Sequence, residues 1–505
     1  MISASTVLRA GRTFSSLSFA AVLAAGCTMI PHYDRPAPPV ADHFPAEPLM
    51  PGHTHAERVK ALAADIGWED FFTDPRLKAL LAIAMRENRD MRGAAAAVAA
   101  AAGQYEVQHA GLFPPIGATG QAMYMAPSRT GGLSFAPGVG QQISTFRYYS
   151  AGIGFSSYEI DLFGRIRSLS QSAAESALQQ VANERSVRIS VVSQVANAYI
   201  AWLGDRELLK VATDSTRNLE DNLRLIRLRY DHGQENMLTV RQAETQADQA
   251  RQLKDQQIRL VAQDENLITL LIGAPLPADL PPPRPLGEQT IRADIPSGIP
   301  TDLLFRRPDI LAAEHDLLAA NANIGAARAA FFPKITLTAS DGISSLMFRR
   351  LFTAPATTWG LNPNISIPIF TWGQNSGNLH AAKAQKQAKL NTYEKAIQTA
   401  FREVADTLVA RSAFADQARQ MDDYVQSSRD AYRLSRMRYQ AGTDSYLNQL
   451  VMQRNLLQAE QARTSVVVGK YQNLVAFYRS LGGGWTQRSV DTATVPGNLT
   501  PRQNG

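Results

Sequence analysis

The residues of this 505-residue chain that could do chemistry are eight histidines, one cysteine and a few clustered charges. A metal site needs several imidazole, thiolate or carboxylate ligands converging on one point. His32, His43, His109, His232, His315 and His380 are scattered, and only His53 and His55 lie close together, in a Pro-rich stretch. No metal site is expected. Arg306-Arg307-Pro308-Asp309 sets two guanidiniums beside a carboxylate, which could clamp an anion. Proline favours the first position of a helix and acidic residues favour its first turn, so capping and ion pairing explain this block better. Neither a phosphate-cradling Gly loop nor a Gly-x-Ser-x-Gly elbow is present. No catalytic residue and no cofactor is expected, and the chain is not read as an enzyme.

Cys27 is the one residue with a covalent chemistry to predict. Residues 1–26 read as a secretory leader: Arg9 and Arg12, then Phe19-Ala-Ala-Val-Leu23, then Ala24-Ala25-Gly26. A cysteine directly after small residues fits a bacterial lipoprotein cleavage box, although Leu23 stands four residues before it where three is usual. Several acyl chains hold a protein at a membrane where one does not. Cys27 is therefore expected to carry the only covalent group, a lipid anchor, and Thr28 in second place favours the outer membrane.

Apolar residues make up 45% and charged residues 19%, as in a folded protein. Loss of the leader leaves 49 Lys+Arg against 45 Asp+Glu, with no dense basic run, so no nucleic-acid partner is expected. Past the leader no apolar run is long enough for a membrane helix. The Ala-rich Gly93–Gly103 is too short and suits close helix packing.

Internal duplication dominates the rest. Arg224-Leu-Ile-Arg-Leu-Arg-Tyr-Asp-His-Gly233 aligns with Arg433-Leu-Ser-Arg-Met-Arg-Tyr-Gln-Ala-Gly442, an offset of 209 that also pairs Gly164 with Gly373 and Gly273 with Gly482. Upstream, Phe113-Pro114 pairs with Phe332-Pro333 at an offset of 219. Each half opens with a helical stretch, Leu77 to about Gly111 or Asp309 to about Ala330. Period-two alternation follows, as in Ile335, Leu337 and Ala339 against Thr336, Thr338 and Ser340, and marks strands with one apolar and one polar face. Each half thus contributes one β-hairpin, turning through Gly- and Pro-rich loops. Next comes a long helix. Gly164 to Gly233 and Gly373 to Gly442 each cover 69 residues, up to roughly 100 Å at about 1.5 Å per residue. The 4-3-4 spacing of Leu219, Leu223, Ile226 and Tyr230, and of Ile397, Phe401, Val404 and Leu408, is a coiled-coil seam. Gly233 and Gly442 fit left-handed positions that end one helix before the next.

Two-faced strands can line a wet interior while facing lipid, but backbone in lipid must be fully paired. Such barrels need at least about 8 strands, so chains with four each must share one. The expected organisation is a leader at 1–26, an acylated Pro-rich linker at 27–66 and a first repeat at 67–275 with its hairpin at about 115–160. A Pro-rich connector at 276–300 leads to a second repeat at 301–485, with its hairpin at about 334–370, and a flexible tail at 486–505.

Several blocks together resemble the outer-membrane factor family, and more narrowly its lipoprotein branch, the NodT/OprM group related to TolC. They are Trp68-x-x-Phe-Phe72-x-Asp74, Tyr158-Glu-Ile-Asp161-Leu-Phe-Gly164-Arg165, Leu303-Leu-x-Arg306-Arg-Pro308-Asp309, Ala313-Glu314, Ile324-Gly325, Ser445-Tyr446-Leu447 and Leu481-Gly-Gly-Gly484-Trp485. The resemblance implies a mostly α protein with a membrane β part. It implies a homotrimer in which a 12-stranded β-barrel, four strands per chain, continues into a long α-helical barrel. It also implies residence in the outer membrane with extension into the periplasm, a periplasmic adaptor (membrane fusion) protein and an inner-membrane pump of the resistance-nodulation-division class as partners, and a passive exit duct for toxic small molecules. A periplasmic adaptor or a structural envelope lipoprotein is the alternative; an adaptor would carry one hairpin and lipoyl-like β domains, not a twofold repeat.

By that resemblance the helical tips narrow the duct. The second tip runs through Gly442, Asp444, Tyr446 and Leu447 to Val451, and the first through Gly233, Leu238 and Thr239. Leu447 matches the family's apolar ring position. Val451 stands where an acidic residue is usual and Thr239 where Asp is frequent, so an acidic cation-binding ring is not expected, and Asp444 is the nearest carboxylate.

Overall fold

The computed structural model describes residues 28–41, 66–125, 146–288, 291 and 306–489. The leader, Cys27, the His53–His55 pair and residues 289–290 and 292–300 of the Pro-rich connector lie outside the described residues. The chain is mostly helical with one small sheet, and divides into two compact units. One comprises residues 1–36, 99–179 and 314–392, the other 37–98, 180–313 and 393–505.

The first unit holds the sheet. Strands β1 (Gly117–Met125), β2 (Phe146–Ile160), β3 (Lys334–Ser345) and β4 (Thr357–Ser366) pair antiparallel in the order β1-β2-β3-β4. The second hairpin thus joins the first through β2 and β3, residues nearly 200 apart in sequence, with Tyr149 opposite Ser345 and Ile160 opposite Ile335. A bulge between Phe155 and Tyr158 interrupts the alternation of β2, where Ser157 adopts a left-handed φ of 57°. The backbone N–H of Ser157 donates to Thr338 Oγ1 at 3.1 Å. β2 and β3 approach closely, and a Cβ on Gly154 would stand 2.2 Å from the Ala339 carbonyl oxygen.

Glu159, near the end of β2, explains the block that follows it. Its carboxylate accepts two hydrogen bonds from Arg165, at 2.8 and 2.7 Å, and pairs with Lys334 of β3 at 3.1 Å. Asp161 accepts from the backbone N–H of Arg167 at 2.8 Å and so caps the helix that begins there. The Phe163 and Phe332 rings stack at 4.7 Å. The segment beginning at Thr28 is strapped to a helix of the second repeat. Arg35 forks onto Glu314 at 2.8 and 2.7 Å, and Asn321 Nδ2 donates to the Pro31 carbonyl at 2.8 Å. A Cβ on Gly325 would lie 2.6 Å from Ile30 Cγ1, so that glycine makes room for the strap.

The helices in chain order are α1 (Trp68–Phe71), α2 (Pro75–Glu87), α3 (Arg89–Ala110), α4 (Arg165–Asp231), α5 (Met237–Ile272), α6 (Pro308–Ala329), α7 (Gln374–Gln440) and α8 (Tyr446–Ser480). α4 and α7 are each 67 residues long. Gly164, Gly233 and Gly273 have φ of 75°, 73° and 73°, and their repeat mates Gly373, Gly442 and Gly482 have 87°, 73° and 78°. All six take the left-handed conformation that glycine adopts without steric cost, so the duplication holds at the level of the backbone.

The expected helical stretch from Leu77 to about Gly111 consists of two helices. Asn88 leaves the helical conformation with ψ 134°, donates to the Leu271 carbonyl at 2.7 Å and accepts from Met91 N–H at 3.0 Å. It therefore ends α2, caps α3 and ties both to α5, without any Pro or Gly to mark the break.

The second unit has an aromatic and ionic core. Phe71 stacks on Tyr478 at 3.9 Å, and the buried Tyr199 hydroxyl donates to Asp74 at 2.7 Å, while Asp74 caps α2 through Arg76 N–H. Gly483 and Gly484, just before Trp485, lie against Tyr478, and a Cβ on Gly483 would sit 2.2 Å from that ring, whereas Gly482 faces Arg307 and Pro308. Arg307, 7% exposed, donates to Asp309 at 3.0 and 2.7 Å, to Glu403 of α7 at 2.8 Å and to the Ser480 carbonyl of α8 at 2.8 Å. The arginine block is thus a structural junction, as its place at a helix start implies.

Candidate membrane-facing sheet and helical tips

The sheet has two chemically distinct faces. In an antiparallel pair, residues directly opposite one another share a face, and successive residues alternate. Along β4 and just past it, Trp359, Leu361, Ile365 and Ile367 lie on one side and are 77%, 59%, 63% and 60% exposed. Asn362, Asn364 and Ser366 take the other. Register carries the apolar side through Ala339, Leu337 and Ile335 of β3 to Phe155, Tyr158 and Ile160 of β2. The polar side continues through Thr338 and Thr336 of β3 and, nearer the turns, through Ser340, Gly342, Gly152 and Gly154. Large apolar groups turned outward from one face are what a hydrocarbon environment accepts and water does not. The strands are 9, 15, 12 and 10 residues long, against about 9–11 needed to cross a bilayer. Among the described residues β1 and β4 each have one neighbouring strand and so form the two edges of the sheet.

The tips belong to the second unit and are built twice to one plan. Gln234 N–H donates to the Arg229 carbonyl and Gly233 N–H to that of Tyr230, at 2.8 and 2.9 Å. Thr443 and Gly442 repeat this on Arg438 and Tyr439, both at 3.0 Å. This pair of bonds is the Schellman closure of a helix. Asn236 then caps α5 through Thr239 N–H, and Ser445 caps α8 through Asn448 N–H. The sequence-selected residues divide by environment. Leu238 and Leu447, repeat mates in the first turn of α5 and α8, are 67% and 57% exposed. Thr239 is buried and donates to Asn236, Val451 is half-buried, and Tyr446 is buried among Leu219, Leu223, Ile226, Val240 and Leu450. Tyr446 thereby packs the two helical hairpins of one chain together. Asp444 is ion-paired with Arg438 at 3.3 Å and accepts from Asn448 Nδ2 at 2.7 Å and Ser445 N–H at 2.8 Å. Asn448, the Ser445 N–H and Arg438 together hold its carboxyl below the usual carboxylate range.

A tie between the tips went unselected in the sequence. The Tyr439 hydroxyl donates to Glu235 at 3.1 Å and accepts from Arg229 at 3.3 Å, and its ring lies 5.5 Å from that of Tyr446. Burial raises the Tyr439 pKa and the Glu235 carboxylate raises it further, so the hydroxyl remains a donor at neutral pH. Asn222 of α4 donates to the Tyr446 hydroxyl at 2.9 Å. The only signal in sequence was the repeated Arg-Tyr pair at 229–230 and 438–439, which does not reveal that Arg229 of one pair meets Tyr439 of the other. Among the described residues no group of three or more His, Cys, Asp or Glu is arranged to hold a metal, and no helix is long and apolar enough to cross a membrane.

Comparison with known proteins agrees with this anatomy. Residues 80–274 and 299–483 match the outer membrane efflux protein family, one segment in each half. The antibiotic efflux pump outer membrane protein ArpC of Pseudomonas putida is 41% identical over 491 residues, 97% of this chain and 99% of that protein. The toluene efflux pump outer membrane protein TtgC, also from Pseudomonas putida, has the same identity and coverage. Among solved structures, the open state of the MtrE outer membrane channel of Neisseria gonorrhoeae superposes with a TM-score of 0.82 at 34% identity, covering 92% of this chain and all of that one. The chain belongs to the outer membrane efflux protein family.

Proposed function

We propose that three copies of this chain close one 12-stranded barrel in the outer membrane and continue it into a helical duct crossing the periplasm. The chain serves there as the outer-membrane channel component of a tripartite efflux system. The observation that carries the barrel is the open, two-faced four-stranded sheet. Its edges β1 and β4 would leave backbone donors and acceptors bare in lipid, where each costs several kcal/mol. Pairing β4 of one copy with β1 of the next removes both edges, and three copies reach the strand number at which a lumen opens. The polar face of Asn, Ser, Thr and Gly then lines a wet passage with little selectivity of its own, and cargo choice falls to the pump. The names of ArpC and TtgC point to antibiotics and toluene as the class of cargo. A periplasmic adaptor and an inner-membrane pump of the resistance-nodulation-division class complete the path. Mass measurement of the detergent-extracted protein should give a trimer, and a stable monomer that still conducts ions would refute the shared barrel.

Cys27 carries the lipid anchor in this reading, and the strap from Thr28 to Arg35 holds the anchored end against α6 beside the sheet. Labelling with a tritiated fatty acid should mark the wild type and leave Cys27→Ser unmarked. Equal labelling of both would end the proposal. Because the barrel itself spans the bilayer, Cys27→Ser reduces assembly but stays in the membrane.

The tips close the duct by apolar contact. Leu447 is exposed in the single chain, in the first turn of α8, where three copies would bring it to one axis. Asp444 is already matched by Arg438, Asn448 and a backbone N–H, and Val451 carries no charge, which supports closure without an acidic cation-binding ring at these positions. A ring of leucine side chains bars ions by dewetting. Leu447→Ser should raise single-channel conductance in planar bilayers and make cells leakier to large antibiotics, with little dependence on divalent cations. Unchanged conductance with intact trimers would remove Leu447 from the closure.

A further inference from the structure

All four connections between sheet and helices lie at one end of the sheet: Ala110 of α3 into Gly117, Ile160 towards α4, Ala329 of α6 into Lys334, and Ser366 towards α7. The turn between β3 and β4 lies at the opposite end, and register brings Arg147 there. Tyr149 stands opposite Ser345, and Arg147 opposite Tyr124. Arg147 alternates in phase with Tyr149 and Ile153, so it shares the apolar face of the sheet, and its side chain is exposed. The turn itself is folded. Arg350 and Leu351 N–H donate to the Met347 and Phe348 carbonyls, Thr353 Oγ1 donates to the Arg350 carbonyl at 2.7 Å, and Leu351 is buried. That anchor leaves Arg349 and Arg350 exposed between exposed Phe348 and Phe352. Phe348 meets Tyr149 edge to face at 5.5 Å, and the Tyr149 hydroxyl donates to that of Tyr124 at 2.9 Å.

Three arginines therefore stand beside an aromatic shelf at the rim, and nothing on their own segments balances them. Asp and Glu are absent from residues 107–158 and again from 342–393. The nearest carboxylate of the sheet, Asp341, shares the face of Arg147 but lies further from the turn, opposite Ile153 and Trp359. Neighbouring copies in a barrel would present the same arginines at the same height, so they cannot supply the counter-charge. The arginines also lie outward of both Tyr149 and Trp359, the aromatic residues suited to the edge of the hydrocarbon, which places them in the headgroup layer. Guanidinium forks match phosphate oxygens bidentately.

We infer that Arg147, Arg349 and Arg350, with Tyr149 and Phe348, form a docking site for the phosphate-bearing headgroup of a glycolipid in the outer leaflet. The inference rests on the barrel reading above. A lipid fits better than a free anion because the shelf is apolar and because a headgroup is held at the rim by its own leaflet. Each arginine near an anionic lipid surface contributes about fivefold in affinity.

The test uses full-length protein extracted in detergent and examined by native mass spectrometry with added bisphosphorylated lipid A, dephosphorylated lipid A or inorganic phosphate. Wild type should retain the bisphosphorylated lipid well above the other two. The triple variant Arg147→Gln, Arg349→Gln, Arg350→Gln should bind it roughly 100-fold more weakly, at about fivefold per arginine. The triple lysine variant, which keeps the charge, should stay within about fivefold of wild type. Equal retention of the dephosphorylated lipid would overturn the site, as would an unaffected glutamine variant or saturation by inorganic phosphate alone. Conductance of the same preparations in planar bilayers separates the two levels. A conducting trimer with no lipid preference refutes this inference only, whereas failure to form a conducting trimer refutes the barrel.

Discussion

Arg307→Ala is expected to destabilise the helical unit by about 3–5 kcal/mol, the usual cost of removing one partner from a buried ion pair. Burial alone would favour loss of its charge, but Asp309 and Glu403 outweigh that and hold the guanidinium charged. Truncation leaves the Glu403 carboxylate and the Ser480 carbonyl without the donor that now serves them at 2.8 Å each. It also severs the join between the start of α6, the middle of α7 and the end of α8. Lysine should not rescue the loss, because one ammonium on a flexible stem cannot present the fork that reaches two carboxylates and a carbonyl together. Thermal unfolding of the detergent-extracted protein should show the midpoint of Arg307→Ala falling by roughly 3–5 °C. A shift smaller than about 2 °C would mean that the junction is not a stabilising centre.

A charge placed on the sheet should have opposite consequences on its two faces. Ile365→Arg turns a guanidinium towards hydrocarbon and should cost about 2–4 kcal/mol if it lies near the midplane. Asn364→Arg, one residue earlier, turns the same group into the wet lumen and should be tolerated, while altering ion selectivity. The comparison holds residue type, strand and depth nearly constant and changes only the face. Folded yield in the outer membrane and resistance of the trimer to denaturant would both report it. If the two variants lose stability alike, the assignment of the apolar side to lipid is wrong.

Both predictions draw on features that differ in how far sequence alone could reach. The two faces of β4 were legible as simple alternation from Leu361 to Ile369, because a strand repeats every two residues and its faces differ in composition. The six left-handed glycines were legible as pairs at an offset of 209, because a side chain is disfavoured at such positions whatever surrounds them. Coiled-coil seams at Leu219, Leu223 and Ile226, and at Ile397, Val404 and Leu408, read correctly as buried, whereas Tyr230 of the first seam is exposed and Phe401 of the second is half-buried. The bulge at Ser157 and the break at Asn88 did not. Ser157 is held by Thr338 of another strand, and the local cap that Asn88 offers Met91 is decided by its bond to Leu271 of another helix, so neighbouring residues alone do not announce either feature.

The same division runs through the candidate sites. Leu447 and Leu238 could be chosen from sequence because both stand at a fixed distance after a tip glycine. That Tyr446, their neighbour in the motif, is instead buried between two helical hairpins follows from packing against α4 and α5. Period, turn chemistry and duplication are properties of short stretches of chain and of their recurrence, so this sequence by itself determined the two-faced strands, the paired tips and the twofold plan. The union of the hairpins through β2 and β3, the Tyr439–Glu235 tie, the Arg35–Glu314 strap and the contacts of Arg307 with Glu403 and Ser480 join residues about 100 to nearly 300 apart. Only the tertiary structure decided them, because a charge or hydroxyl has several chemically equivalent partners along the chain, and burial selects the one it meets.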